Sequence, residues 1–112
     1  DANTKYCDVE GVLYTKEKTE LIAYPAKKQG TQYTILSSVS RIGTSAFYEC
    51  SSLTSIDIPD GVTSIGSSAF RGCSSLTSIE VADANTKYCD VEGVLYTKEK
   101  LTTILVKIKL YF

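Results

Sequence analysis

The segment Val39-Ser-Arg-Ile-Gly-Thr-Ser-Ala-Phe-Tyr-Glu-Cys-Ser-Ser-Leu-Thr-Ser-Ile-Asp-Ile58 returns 23 residues later as Val62-Thr-Ser-Ile-Gly-Ser-Ser-Ala-Phe-Arg-Gly-Cys-Ser-Ser-Leu-Thr-Ser-Ile-Glu-Val81. A fixed period of this length restricts the fold to stacked coils, since one unit is too short to enclose a core. The positions that agree are apolar: Val39/Val62, Ile42/Ile65, Ala46/Ala69, Phe47/Phe70, Cys50/Cys73, Leu53/Leu76, Ile56/Ile79 and Ile58/Val81. The substitutions fall almost wholly on polar positions. Each coil therefore covers its neighbour with the same inward side chains, and no coil is stable by itself.

A second repeat is larger. Asp1 to Lys18 recurs without a change as Asp83 to Lys100. Within this cassette Gly11-Val12-Leu13-Tyr14 and Glu20-Leu21-Ile22-Ala23-Tyr24 have strand character. Thr15-Lys16-Glu17-Lys18-Thr19 joins them, and Pro25 closes the second run. The expectation is a β-hairpin inserted at each end of the stack. The chain is then one domain: an N-terminal hairpin cassette over 1–32, repeats of period 23 over 33–82, and a C-terminal hairpin cassette over 83–112.

Leu53-x-x-Ile56-x-Ile58 followed by Pro59-Asp60-Gly61 reads as a short strand entering a turn, with Ile56 and Ile58 inward and Asp57 outward. Ile79-Glu80-Val81 and Tyr33-Thr34-Ile35 fall at the same register, with Leu36 in the place of Pro59, so three parallel strands are expected side by side. Ile42 to Phe47 and Ile65 to Phe70 are expected to form short helical turns capped by a hydroxyl residue on the opposite wall. Arg41, Tyr48, Glu49 and Arg71 are placed in solvent there. The fold class expected is an α/β repeat solenoid.

Written as Val-x-x-Ile-Gly-x-x-Ala-Phe-x-x-Cys-x-x-Leu-x-x-Ile-x-Ile-Pro, the motif resembles the BspA-like class of leucine-rich repeats. The likeness covers residues 33–82, and the Gly-Val-Leu-Tyr cassette is similar to an insert between repeats in that family. The resemblance implies a bacterial protein, extracellular or on the cell surface, that adheres to host or matrix proteins without a cofactor or catalytic residues. The chain departs from the pattern at Leu36 and at the terminal run Leu101 to Phe112.

Twelve Lys and Arg against 13 Asp and Glu leave a net charge of −1, which favours neither a nucleic-acid partner nor an anionic membrane. The apolar run Ile104-Leu105-Val106 is broken by Lys107 and Lys109, far below the roughly 20 apolar residues a membrane-spanning helix needs. Because the chain starts at Asp1, it is expected to be cut from a longer precursor, whose signal peptide would not be visible.

Of the four cysteines, Cys50 and Cys73 stand one repeat apart, on neighbouring coils, close enough for a disulfide. Equivalent side chains of stacked coils point the same way, so a ladder of free, buried thiols is expected, with the disulfide as the alternative. Cys7 and Cys89 lie in opposite cassettes, too far apart to bridge. With no His and no Cys-x-x-Cys, a zinc site is not expected. Asp57 and Glu80 form a carboxylate pair. Such a pair could act as acid and base, bind calcium with Asp60 and Asp83, or stay as two solvated charges that repel weakly. Either way it marks an acidic, hydroxyl-rich face made of Gln32, Thr34, Ser55, Asp57, Ser78 and Glu80, suited to a basic protein ligand.

Tyr6, Tyr14, Tyr24, Tyr88 and Tyr96 concentrate in the cassettes, either covering the open ends of the stack or contacting a ligand. Val106-Lys107-Ile108-Lys109-Leu110 alternates as a half-buried edge strand whose lysines discourage pairing. The functional expectation is a non-catalytic, adhesin-like module for an extracellular protein ligand. The alternative is a structural spacer or self-association unit, joining end to end or by exchange through the duplicated cassettes.

Overall fold

The structure is a computed structural model that describes residues 4–91 and 94–97. Strands β1 (Tyr6–Val9), β2 (Val12–Thr15) and β3 (Glu20–Ala23) are followed by β4 (Gln32–Thr34), β5 (Arg41–Ile42), β6 (Ser55–Ile58), β7 (Ser64–Ile65) and β8 (Ser78–Val81). The second cassette contributes β9 (Tyr88–Val91) and β10 (Val94–Thr97). One wall is the parallel sheet β4-β6-β8, in the register expected from the repeat: Tyr33 beside Ile56 beside Ile79, and Thr34 beside Asp57 beside Glu80. The other wall is the sheet β1-β2-β3-β5-β7.

The N-terminal cassette holds one strand more than the sequence suggested. β1 and β2 form a tight hairpin through Glu10 and Gly11, both at positive φ (51° and 86°), the two-residue turn whose twist matches that of the strands. β2 then pairs antiparallel with β3, while β3 pairs parallel with β5, Leu21 against Ile42. β3 is thus both the last strand of the hairpin and the first of the coil wall. The sequence explains this double role: Ala23-Tyr24 stands 23 residues before Ala46-Phe47 and 46 before Ala69-Phe70. The Tyr24 N–H donates to the Ala46 carbonyl just as the Phe47 N–H donates to that of Ala69, both at 2.7 Å. The periodic coil therefore begins at Ala23, ten residues earlier than the motif indicates.

The expected helical turns at 42–47 and 65–70 do not form, and no helix occurs among the described residues. The fold is an all-β repeat, not an α/β one. In a helix, successive N–H groups all point back along their own chain. Here Ala46 and Tyr48 donate locally to Gly43 and Ser45, but the intervening Ser45, Phe47 and Glu49 donate to Ser67, Ala69 and Arg71 of the next coil. Ser45 and Glu49 supply the alternation by taking left-handed φ values of 56° and 55°, and Ser68 and Gly72 do the same one coil on. The wall is a row of linked turns tied across coils, so the serines have no helix to cap. Arg41, Tyr48, Glu49 and Arg71 are exposed on this wall, as expected.

The core runs through the stack as columns. Tyr24, Phe47 and Phe70 stack with centroids 5.3 and 5.4 Å apart, and Tyr33 meets Tyr24 edge-on at 4.9 Å. Phe47, in the middle, is fully buried. Polar positions form columns too. The Thr54 amide and hydroxyl both donate to the Thr31 carbonyl, and Thr77 repeats this on Thr54. The abundant hydroxyls thus bind the backbone of the preceding coil. Gly66 is required by close approach, because a methyl group there would overlap the Thr44 backbone.

Candidate functional site

The six residues of the outward face sit on β4, β6 and β8 in two rows, Gln32-Ser55-Ser78 and Thr34-Asp57-Glu80. The second row lines a concavity. A groove of about 660 Å³ follows the strand ends, with Thr34, Asp57 and Glu80 on one side and the turn residues Leu36, Pro59 and Ala82 along the other. Asp83 also lines it, and among the described residues every charged one that lines the groove is an acid. The outward row was legible from strand alternation. The apolar side was not, since Leu36, Pro59 and Ala82 stand out only once the strand ends are seen to align.

Within the groove, the Thr34 hydroxyl donates to Asp57 Oδ2 at 3.1 Å. The other oxygen, Oδ1, is buried and accepts no hydrogen bond from any described residue. The neighbouring Glu80 carboxyl has its pKa raised, because its protonated form would donate to Asp57 and its ionised form faces Asp57's charge. When both groups are ionised neither has a proton to give, which leaves Oδ1 without a donor. The arrangement favours a cation or a hydrogen-bond donor brought from outside.

Of the calcium partners considered, Asp83 lines the groove and Asp60 does not. Among the described residues no group of three or more His, Cys, Asp or Glu side chains is placed to hold a metal ion.

The four cysteines are free thiols. Cys50 Sγ donates to the Tyr24 carbonyl at 3.6 Å and Cys73 Sγ to the Phe47 carbonyl at 3.0 Å, so the pair forms a ladder across coils instead of a bridge. Burial raises both thiol pKa values, that of Cys50 to about 11. These are packing groups, not nucleophiles.

The cassette tyrosines divide. Tyr14, Tyr24 and Tyr88 are buried and Tyr6 is half-buried. The Tyr96 side chain and the alternating run Val106–Leu110 lie outside the described residues. Tyr14 and Tyr33 hydrogen-bond through their hydroxyls, and burial raises the pKa of both. Among the described residues the large exposed aromatic is Tyr48, on the opposite wall.

Residues 23–111 match the sequence profile described as the BspA type leucine rich repeat region, in six copies. No curated protein sequence matches the chain. Among solved structures, the chain is similar to the pneumococcal vaccine antigen PcpA, at 28% identity over 75% of this chain, with a TM-score of 0.72. It is also similar to a leucine-rich repeat protein from Eubacterium ventriosum, at 34% identity over 70% of this chain, with a TM-score of 0.53. The chain spans 21% of the first protein and 27% of the second. With the profile covering most of its length from Ala23, where the periodic coil starts, the chain belongs to the BspA-type leucine-rich-repeat family.

Proposed function

We propose that the chain is a non-catalytic binding module of a bacterial surface or secreted protein, and that its groove takes a basic segment of an extracellular protein, as an adhesin does. The observation that carries this reading is the Asp57 Oδ1 atom, buried and without a donor among the described residues, beside a groove whose described charged residues are all acids. A Lys or Arg side chain fits both sides of it: its aliphatic stem lies on Leu36, Pro59 and Ala82, and its charged end reaches Asp57 and Glu80. The likeness to a pneumococcal antigen supports the surface setting.

The test is binding of the immobilised chain to a panel of extracellular-matrix and serum proteins, beside the Asp57→Lys/Glu80→Lys double variant, at two salt concentrations. Saturable, salt-sensitive binding that the double variant loses is expected. Binding that survives the double variant places the contact elsewhere, and no binding across the panel rejects the adhesive reading.

A second reading, a structural spacer that also associates through its ends, is favoured by the identity of the two cassettes. Light scattering across a concentration series tests the association.

A further inference from the structure

The hydroxyl column Thr31-Thr54-Thr77 has a direction. Thr77 donates its amide and hydroxyl to the Thr54 carbonyl, and Thr54 donates both to the Thr31 carbonyl. Thr31 is the head of the column, because the residue 23 positions before it, Asp8, lies in β1 of the other wall. Its carbonyl is taken by Thr54 and Ser55, while neither its amide nor its hydroxyl donates to any described residue. What the fold leaves open at Thr31 is therefore its donors.

Thr31 lines a further hollow, of about 450 Å³, together with Lys27, Lys28, Ser51 and Ser52. The hollow lies at the amino ends of β4 and β6, whereas the acidic groove follows the carboxyl ends of the same strands. The charged residues that line it, among those described, are the two lysines, and neither ammonium makes an ion pair or hydrogen bond to a described residue. The backbone beneath them is tied down. The Lys28 N–H donates to the Pro25 carbonyl at 3.0 Å, and the Ser52 hydroxyl donates to the Lys28 carbonyl at 3.3 Å. These bonds occupy carbonyls of the turn and leave donors unused: the Gln29 and Gly30 amides and the Ser51 hydroxyl donate to no described residue. Gly30 makes the turn at a φ of 119°, which a side chain would disfavour.

We propose that this hollow is an anion site, for a tetrahedral oxyanion of the sulfate or phosphate class, free or carried as an ester. Two positive charges and a set of unengaged donors meet there, and among the described residues no carboxylate lines it to compete for them. The residue types select the shape of the anion. Lys is a point charge on a rotatable stem, which suits oxygens that point apart, whereas a planar carboxylate is matched by the planar fork of Arg, and no described Arg lines the hollow. The apolar side chain that lines it is Ala26, too small to hold an acyl chain or the side chains of a peptide, so charge and hydrogen bonds carry the recognition. The site is separate from the acidic groove and does not rest on the reading of that groove.

The test is an NMR titration of the full chain at constant, low ionic strength with sodium sulfate, sodium phosphate, a sulfated disaccharide, its unsulfated parent, and sodium acetate. Saturable shifts of the Gly30 and Thr31 amides are expected with sulfate, phosphate or the sulfated sugar, the tightest binder showing whether the site takes the free ion or the ester. Lys27→Gln/Lys28→Gln should weaken that binding by about tenfold. Arg41→Gln/Arg71→Gln, which removes the same charge from the other wall, should leave it unchanged. Thr31→Val should weaken it by roughly threefold without lowering the melting temperature, since the hydroxyl it removes donates to nothing in the described fold.

No saturable shift at these amides with any of the three oxyanions would overturn the proposal. So would acetate or the unsulfated sugar binding as tightly as the oxyanions, or an equal loss of binding in the lysine and arginine variants.

Discussion

Replacing the buried Asn85 with Asp alters one atom and should open the end of the solenoid. The carboxylate keeps the acceptor used by the Lys87 and Tyr88 amides, but it puts an oxygen where Nδ2 now donates to the Pro59 and Val62 carbonyls. Two hydrogen bonds of about 1 kcal/mol each are lost, and the two carbonyls face an acceptor in a site closed to water, at a further cost of about 1 to 3 kcal/mol. The stronger charge-assisted bonds to the two amides return part of this, leaving a net loss of about 3 kcal/mol. In a stack whose coils are stabilised by their neighbours, the loss falls on the contact between the last coil and the C-terminal cassette before the remainder.

Amide exchange at Val81 and Tyr88, followed by NMR, should therefore accelerate by about 100-fold, at roughly 1.4 kcal/mol per factor of ten, while exchange at Ile56 changes little. The deficit should shrink in acid. The carboxyl facing those carbonyls should bind its proton more tightly in the folded chain than in the unfolded one. Stability then recovers as pH falls through the folded pKa. A variant whose exchange at Val81 and Tyr88 is unchanged at pH 7, or whose deficit is no smaller at pH 4, would refute the account of Asn85 as the latch.

Other outcomes concern single residues. Phe47→Ala, at the centre of the aromatic column, should cost about 3 to 5 kcal/mol by urea denaturation, and Phe70→Ala less, since Phe70 is only partly buried. Gly66→Ala should be destabilising by at least about 1 kcal/mol because its methyl group meets the Thr44 backbone. Gly61→Ala, where the nearest atom lies at 3.6 Å, should be close to neutral in the same melts. Asp57→Asn should shift the NMR titration of Glu80 to lower pH. The wild-type chain gains stability as pH falls through the raised Glu80 pKa, and the variant should lose that gain. Thiol labelling at pH 8 should leave Cys50 unmodified while the chain stays folded, with the half-buried Cys7 and Cys89 reacting first.

What could be read from the sequence was what depends on side-chain pattern. Val39 to Val81 fixes the period, and with it the parallel register of Tyr33, Ile56 and Ile79 and the outward row of Thr34, Asp57 and Glu80. What could not be read depends on the backbone. Ser45 and Ser68 are ordinary residues for a helical turn, and nothing in their identity announces a positive φ. The true start of the coil was hidden because Leu21 and Ala23 are two residues closer together than Ile42 and Ala46, which breaks the alignment just where the hairpin ends. Asn85 looked like one more polar residue of the cassette, although it stands in the column of Val39 and Val62. A polar residue interrupting an apolar column was the available signal of its contact with the preceding coil. The apolar side of the groove escaped because it is assembled from turns that only the stack brings into line.

The hydroxyl columns and the cross-coil amide bonds all run parallel to the axis of the stack. A force applied to the two ends therefore loads the bonds between coils one interface at a time, as in peeling, instead of shearing many together. Each coil released adds 23 residues of slack, about 80 Å at full extension, where the folded coil occupied a single strand spacing of about 4.8 Å. Such a chain lengthens in steps under load and can wind back when the load is removed.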